Sequence, residues 1–177
     1  MKICVVGDIY ADILTNLCDD TKVFSYTIRD LVSPINRTRV ERYVKEQSSS
    51  HVVFMFGSAN EGIAARADIL EYVKWVSNIP GRFYRLVVVP LPIPALTPVR
   101  GITPLYEQLA LVRYYETVYD IKQLVAKYNV SRNMICVDLE SHILDENLLP
   151  RGNYIDLNCQ VPFVGAEIKK AIMSYCK

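Results

Sequence analysis

Two histidines, five cysteines and a scatter of carboxylates are what this 177-residue chain offers for nucleophilic or metal chemistry. Its opening run, Ile3-Cys4-Val5-Val6, leads into Gly7-Asp8-Ile9, a Gly-Asp turn at the end of a strand, where a nucleophile could be presented. Ile9 fills that position, and an alkyl side chain cannot attack a carbonyl. A serine or cysteine elsewhere would need a histidine within hydrogen-bond reach to take its proton. Ser58 and Cys159 fall on loops at the same end of the expected sheet, and His142 follows a strand there. Ser58 with His142, or Cys159 with His142, is therefore the pair through which a rearranged site would act. The simpler expectation for His142 is a surface or helix-capping role. His51 precedes its apolar run and belongs to the opposite end of the sheet. Asp8, Asp12, Asn60, Glu61, Asp138, Glu140 and Asp156 carry hard oxygen atoms of the kind a divalent cation takes. The same residue types cap helices and make Asx turns. With two separated histidines and no Cys-x-x-Cys spacing, ligands for a structural metal are scarce, and neither metal nor cofactor is expected. No Gly-x-Gly-x-x-Gly or P-loop pattern is present.

The elements that must position these residues are written in four continuous apolar runs: Ile3–Val6, Val52–Phe56 after His51, Leu86–Val89 and Met134–Val137. Short β-branched runs without alternation suit parallel strands buried on both faces. A weaker strand is expected at Val23–Ile28, and a helix around Arg39–Glu46. Ile69, Leu70, Val73 and Val76 recur at helical spacing, as do Leu105, Leu109, Val112, Ile121, Val125 and Tyr128 in a segment that Pro104 opens. Val164, Ile168, Ala171, Ile172 and Tyr175 write a last helix. The alternation of strand and helix predicts a three-layer α/β/α sandwich with a mostly parallel sheet of about five strands, formed as one domain over 1–177. Functional groups in such sheets gather beyond the carboxyl ends of the strands.

Taken together, the loops at that end resemble the SGNH/GDSL hydrolase family over nearly the whole chain. Gly7, Asp8 and Ile9 match its Gly-Asp-Ser turn, with isoleucine at the nucleophile. Phe56-Gly57-Ser58-Ala59-Asn60-Glu61-Gly62 looks like its Gly-x-Asn-Asp loop with one extra residue, which assigns Gly57 and Asn60 to a former oxyanion hole. Val87-Val88-Val89-Pro90-Leu91-Pro92 and Val137-Asp138 resemble its later strands. Tyr154-Ile155-Asp156-Leu157-Asn158-Cys159 stands where the family has Asp-x-x-His or Asp-x-His, so Asp156 is retained and the base position reads Asn158 or Cys159. The resemblance implies the SGNH-like architecture with flavodoxin-like strand order, and a degenerate site that has lost both nucleophile and base. The reading is an inactive hydrolase-like domain serving as a structural or protein-interaction component. The alternatives are an ester hydrolase with a rearranged nucleophile and a small-ligand-binding pseudoenzyme.

Charge is nearly balanced at +1 and 51% of residues are hydrophobic, so no electrostatic footprint for nucleic acid or anionic lipid is expected. The most apolar stretch, Leu86–Val99, is broken by prolines and too short for a spanning helix. Cys4 and Cys136 are expected in buried strands, and the odd set of cysteines fits a reduced, intracellular compartment without a classical signal peptide. Tyr106, Tyr114, Tyr115, Tyr119 and Tyr128 crowd one helix and cannot all face the sheet. Together with the long loop Pro90–Pro104, they point to a protein partner or to self-association.

Overall fold

The computed structural model describes residues 1–7, 11, 14–55, 66–89, 104–129, 133–143, 146 and 160–176, with the backbone alone at 66–67, 104–111, 113–114, 140, 143 and 160–165. Among these residues the strands are β1 (Lys2–Gly7), β2 (Asp20–Ser25), β3 (His51–Met55), β4 (Tyr84–Val88) and β5 (Met134–Cys136). They form one sheet in the order β2-β1-β3-β4-β5, and every pairing is parallel. The helices are α1 (Pro34–Gln47), α2 (Arg66–Asn78), α3 (Pro104–Tyr128), the short α4 (Glu140–Ile143) and α5 (Gln160–Ser174). None is long and apolar enough to cross a membrane.

Burial explains the strand composition. In β1 every residue from Ile3 to Gly7 is buried, and β3 is buried throughout, because helices cover both faces of the sheet. The crossovers from β2 to β3, β3 to β4 and β4 to β5 run in one direction across the sheet and carry α1, α2 and α3 on one face, as the general right-handed rule for such connections requires. There α2 packs on α3, and the Trp75 indole N–H of α2 donates to Glu41 Oε1 of α1 at 2.7 Å. Phe54, Tyr72 and Trp75 interlock edge to face with centroids 5.6–6.3 Å apart, the arrangement that aromatic quadrupoles favour. Of the connection from β1 to β2, Ala11, Leu14 and Leu17 are buried in the core, and Cys18 lies near Cys176 beyond α5. Ile168, Ala171 and Ile172 of α5 are buried, and Cys176 just beyond it has its thiol pushed up by burial and by nearby Cys18.

Several elements differ from the sequence expectation. β2 starts three residues earlier and stops at Ser25, because a turn takes over: Thr27 N–H and hydroxyl donate to Asp30 Oδ2 at 2.9 and 2.8 Å, and Asp30 N–H donates back to Thr27 Oγ1. Helix α1 is longer than expected. Pro34 sits in its first turn, where no N–H is missed, and Ser48 ends it in the left-handed region at φ 50°, ψ 46°. Cys136 is half-buried rather than buried, since β5 is a three-residue edge strand with one neighbour. Val112 is 52% exposed, and Leu70 and Tyr128 are half-buried, so α2 and α3 bury narrower stripes than their apolar spacing suggests. His51 is not ahead of β3 but its first residue.

β4 also begins earlier than the apolar run, and the reason is Arg85. This side chain is 3% exposed. Its Nε donates to Val76 O at 2.9 Å, Nη1 to Phe83 O at 3.2 Å and Nη2 to Ile79 O. The guanidinium thus closes the C-terminal end of α2, where free carbonyls and the helix dipole favour a cation. Burial lowers its pKa, and the ring of Phe83 lies 4.1 Å from its central carbon.

Candidate functional site

The carboxyl ends of β1, β2 and β3 come level at one place. Gly7 is paired in register with Ser25 on one side and Met55 on the other. Connections leave β1 toward β2 and β3 toward β4 in opposite directions, so this is the switch point of the sheet, where ligand sites of open α/β folds form. The glycine at this point has a steric cause. A Cβ on Gly7 would lie 2.5 Å from Met55 O and 2.7 Å from Met55 Cβ, so the close approach of β1 to β3 tolerates no side chain there.

From that junction the chain leaves β1 toward Asp8 and Ile9, and it leaves β3 toward Gly57, Ser58 and Asn60. The two loops assigned to a former site thus depart from register-paired residues. Asp8, Ile9, Gly57, Ser58, Asn60, Asp156, Asn158 and Cys159 themselves lie outside the described residues, as do Asp12, Glu61 and the segment 90–103. The expected convergence of Ile9, Asn60 and Asp156 therefore falls outside them too.

The two histidines are described, and they sit apart. His142 is a half-buried residue of α4, one short turn beyond β5 at the sheet's edge, and its N–H donates to Leu139 O at 3.1 Å. Asp138 helps shape that turn: the Ser141 N–H points to its Oδ1 at 3.4 Å, a helix-start role for this carboxylate. The Asp138 N–H in turn points to the Tyr175 hydroxyl at 3.4 Å, tying the loop to the end of α5. His51 stands at the amino end of β3, 7% exposed, stacked on Tyr84 with centroids 5.1 Å apart. Its Nδ1 lies 3.1 Å from Ser50 Oγ, and burial lowers its pKa. Four residue steps along β3, about 13 Å at about 3.3 Å each, separate it from Met55 at the switch point. It takes no part there.

Cys4 is fully buried in β1, and burial outweighs the pull of Lys22 to push its thiol up to about 12. Such a thiol is a packing group rather than a nucleophile. No group of three or more His, Cys, Asp or Glu that could hold a metal ion occurs among the described residues. On α3, Tyr115 packs against the core while Tyr119 is 63% exposed, so the tyrosines do divide between faces. Arg85 is the buried charged side chain, among the described residues, that sequence reasoning missed. The only hint was its place directly before the run Leu86–Val89, where a charge reads as the end of a strand rather than its interior.

No protein-family model matches the chain, and no curated protein matches it in sequence. In structure, 98% of the chain aligns with 93% of LAE5, an alpha/beta hydrolase enzyme from the metagenome of Lake Arreo, Spain, with a TM-score of 0.55 and 11% sequence identity. At that identity the likeness is one of fold alone, a parallel sheet packed with helices.

Proposed function

We propose that this chain is a hydrolase-like domain of the SGNH type that has given up catalysis and works, as one unit over 1–177, as a structural or protein-interaction component. The observation that carries this reading is Ile9. It follows Gly7 and Asp8, just past the switch point, where the resembling family places its serine, and it has no atom able to act as a nucleophile. The histidines strengthen the reading. The chain has two; His51 is at the wrong end of the sheet and buried, which leaves His142 as the single candidate for a proton relay. The hydrolase-like fold is compatible with this loss, because a fold persists through its core while activity depends on a few groups at the strand ends.

The competing reading is an ester hydrolase using Ser58 or Cys159 with His142 as base, and the two are separated by turnover. On short acyl esters and acetylated sugars the purified protein is expected to hydrolyse no faster than buffer. Turnover that disappears in Ser58→Ala, Cys159→Ala or His142→Ala would establish the rearranged site instead. A ligand-binding pseudoenzyme would show no turnover but would be stabilised by a small molecule, through linkage of binding to folding.

A further inference from the structure

We infer that the loop after β2 and the outward face of α1 form a docking surface for an acidic peptide segment that carries an apolar anchor; the inference rests on the interaction role proposed above and gives it a location and a partner chemistry. Val32 and Ile35 are 64% and 66% exposed, two aliphatic side chains held out on adjacent turns. They are displayed by a frame rather than by a loose loop. Leu31 between them and the core is 1% exposed. The Thr27–Asp30 turn is closed by reciprocal hydrogen bonds, Asn36 Nδ2 donates to Asp30 O at 2.8 Å, and Arg37 Nε donates to Leu31 O. A surface ordered before binding loses little entropy when a partner arrives.

The charge beside these aliphatics selects the partner. In this loop and helix Arg29, Arg39, Arg42 and Lys45 are exposed, against two exposed carboxylates, Asp30 and Glu46. Asp30 is already committed to Thr27. The exposed side chains of this loop and helix thus carry a positive surplus although the chain as a whole is balanced at +1. Ile35, Arg39 and Arg42 share a helix face by their spacing of four and seven, with the guanidinium groups based about 6 and about 10 Å along the axis from the isoleucine. A partner with an aliphatic or aromatic side chain on the Val32–Ile35 pair and carboxylates one and two turns away would match it. Arginine suits this task, because its planar fork grips a carboxylate bidentately and is weakly hydrated. A second copy docking face to face would set like charges against each other. An anionic membrane is a poorer match, since two aliphatics without an aromatic residue make a small insertion surface. In the sequence Ile35, Arg39 and Arg42 are separated by polar and apolar neighbours; helix α1 brings these three to one face.

The test is selection of a random peptide display library on the whole immobilised chain at low ionic strength. The expected result is enrichment of peptides rich in Asp and Glu with an aliphatic or aromatic residue. Their binding is expected to weaken with salt and to fall by about tenfold or more in Val32→Asp with Ile35→Asp, and again in Arg39→Glu with Arg42→Glu. These side chains are exposed, so the variants are expected to melt like the parent, which a thermal scan checks. No enrichment, enrichment of neutral or basic peptides, or binding indifferent to both pairs of changes refutes the surface. So does preferential binding of phosphatidylserine vesicles, or self-association abolished by the same changes. Ester turnover on the same preparation refutes the non-catalytic reading alone. Failed selection on an inactive protein refutes this surface alone.

Discussion

Adding a single methyl group at Gly7 is expected to destabilise the protein, although two effects compete. Gly7 does not adopt a left-handed φ, so alanine fits its backbone, and the reduced freedom of the unfolded chain would by itself stabilise by about 0.4–1 kcal/mol. Against this, the new Cβ meets Met55 O at 2.5 Å and Met55 Cβ at 2.7 Å, well inside van der Waals contact. Neither atom belongs to a side-chain end that can swing away. Both move only if β3 moves, and β3 is held between β1 and β4. Overpacking of this kind costs about 1–3 kcal/mol, and the rigidity of the obstacle argues for the upper end, leaving a net loss of about 2 kcal/mol. For a chain of this length that lowers the melting temperature by about 4–8 °C. Thermal and urea unfolding of Gly7→Ala beside the parent would measure it. Gly7→Ala with Met55→Ala is expected to show no relief, since the carbonyl and Cβ remain. A Gly7→Ala protein as stable as the parent, or more so, would refute the close junction of β1 and β3 that places the switch point.

Arg85→Met is expected to cost about 3 kcal/mol in denaturant unfolding, because it strands the Val76 and Ile79 carbonyls at the end of α2; a loss below about 1 kcal/mol would show that water replaces the guanidinium. For His51, burial holds the folded pKa below its ordinary value, so the unfolded chain takes up the proton more readily. Its contribution is complete above about pH 6.5 and is lost as the pH falls through that value toward the folded pKa; stability measured across this range is expected to fall less steeply in His51→Gln than in the parent, and equal slopes would contradict the assignment. Cys4, with its thiol pushed up to about 12, is expected to resist alkylation by iodoacetamide in the native protein and to react once unfolded, and peptide mass spectrometry reads both states.

What the sequence made legible follows from how each signal is written. β1, β3 and β4 could be read because a strand buried on both faces must be apolar at every position, and Ile3–Val6, Val52–Met55 and Leu86–Val88 are. β2 was less clear: as an edge strand it mixes Lys22 and Thr21 with Val23 and Phe24, and its end is set by Thr27–Asp30 hydrogen bonds that no periodicity encodes. Arg85 hid the start of β4, since its burial depends on carbonyls supplied by α2, a tertiary fact. Val112 looked like a core residue because spacing assigns a face to a helix but not the width of the stripe that its neighbours cover. At the candidate site, Gly7 was visible as a turn glycine, whereas the reason for it, Met55 in another strand, was not. Ile9, Asn60 and Asp156 were found through motif resemblance, which names residue types at positions and leaves their distances open.

The central claim is that no residue at the switch point is an activated nucleophile, and the most direct measurement is intact-mass spectrometry of the native protein after incubation with a fluorophosphonate, which captures serine nucleophiles primed by a base, and in parallel with an electrophilic acyl ester, which captures thiols as well. The expected result is the unmodified mass in the first reaction and, in the second, no adduct at Cys159 that forms faster than at the same thiol in the unfolded protein. A stoichiometric fluorophosphonate adduct on Ser58, or rapid acylation of Cys159, lost in either case in His142→Ala, would contradict it and make the chain a working hydrolase.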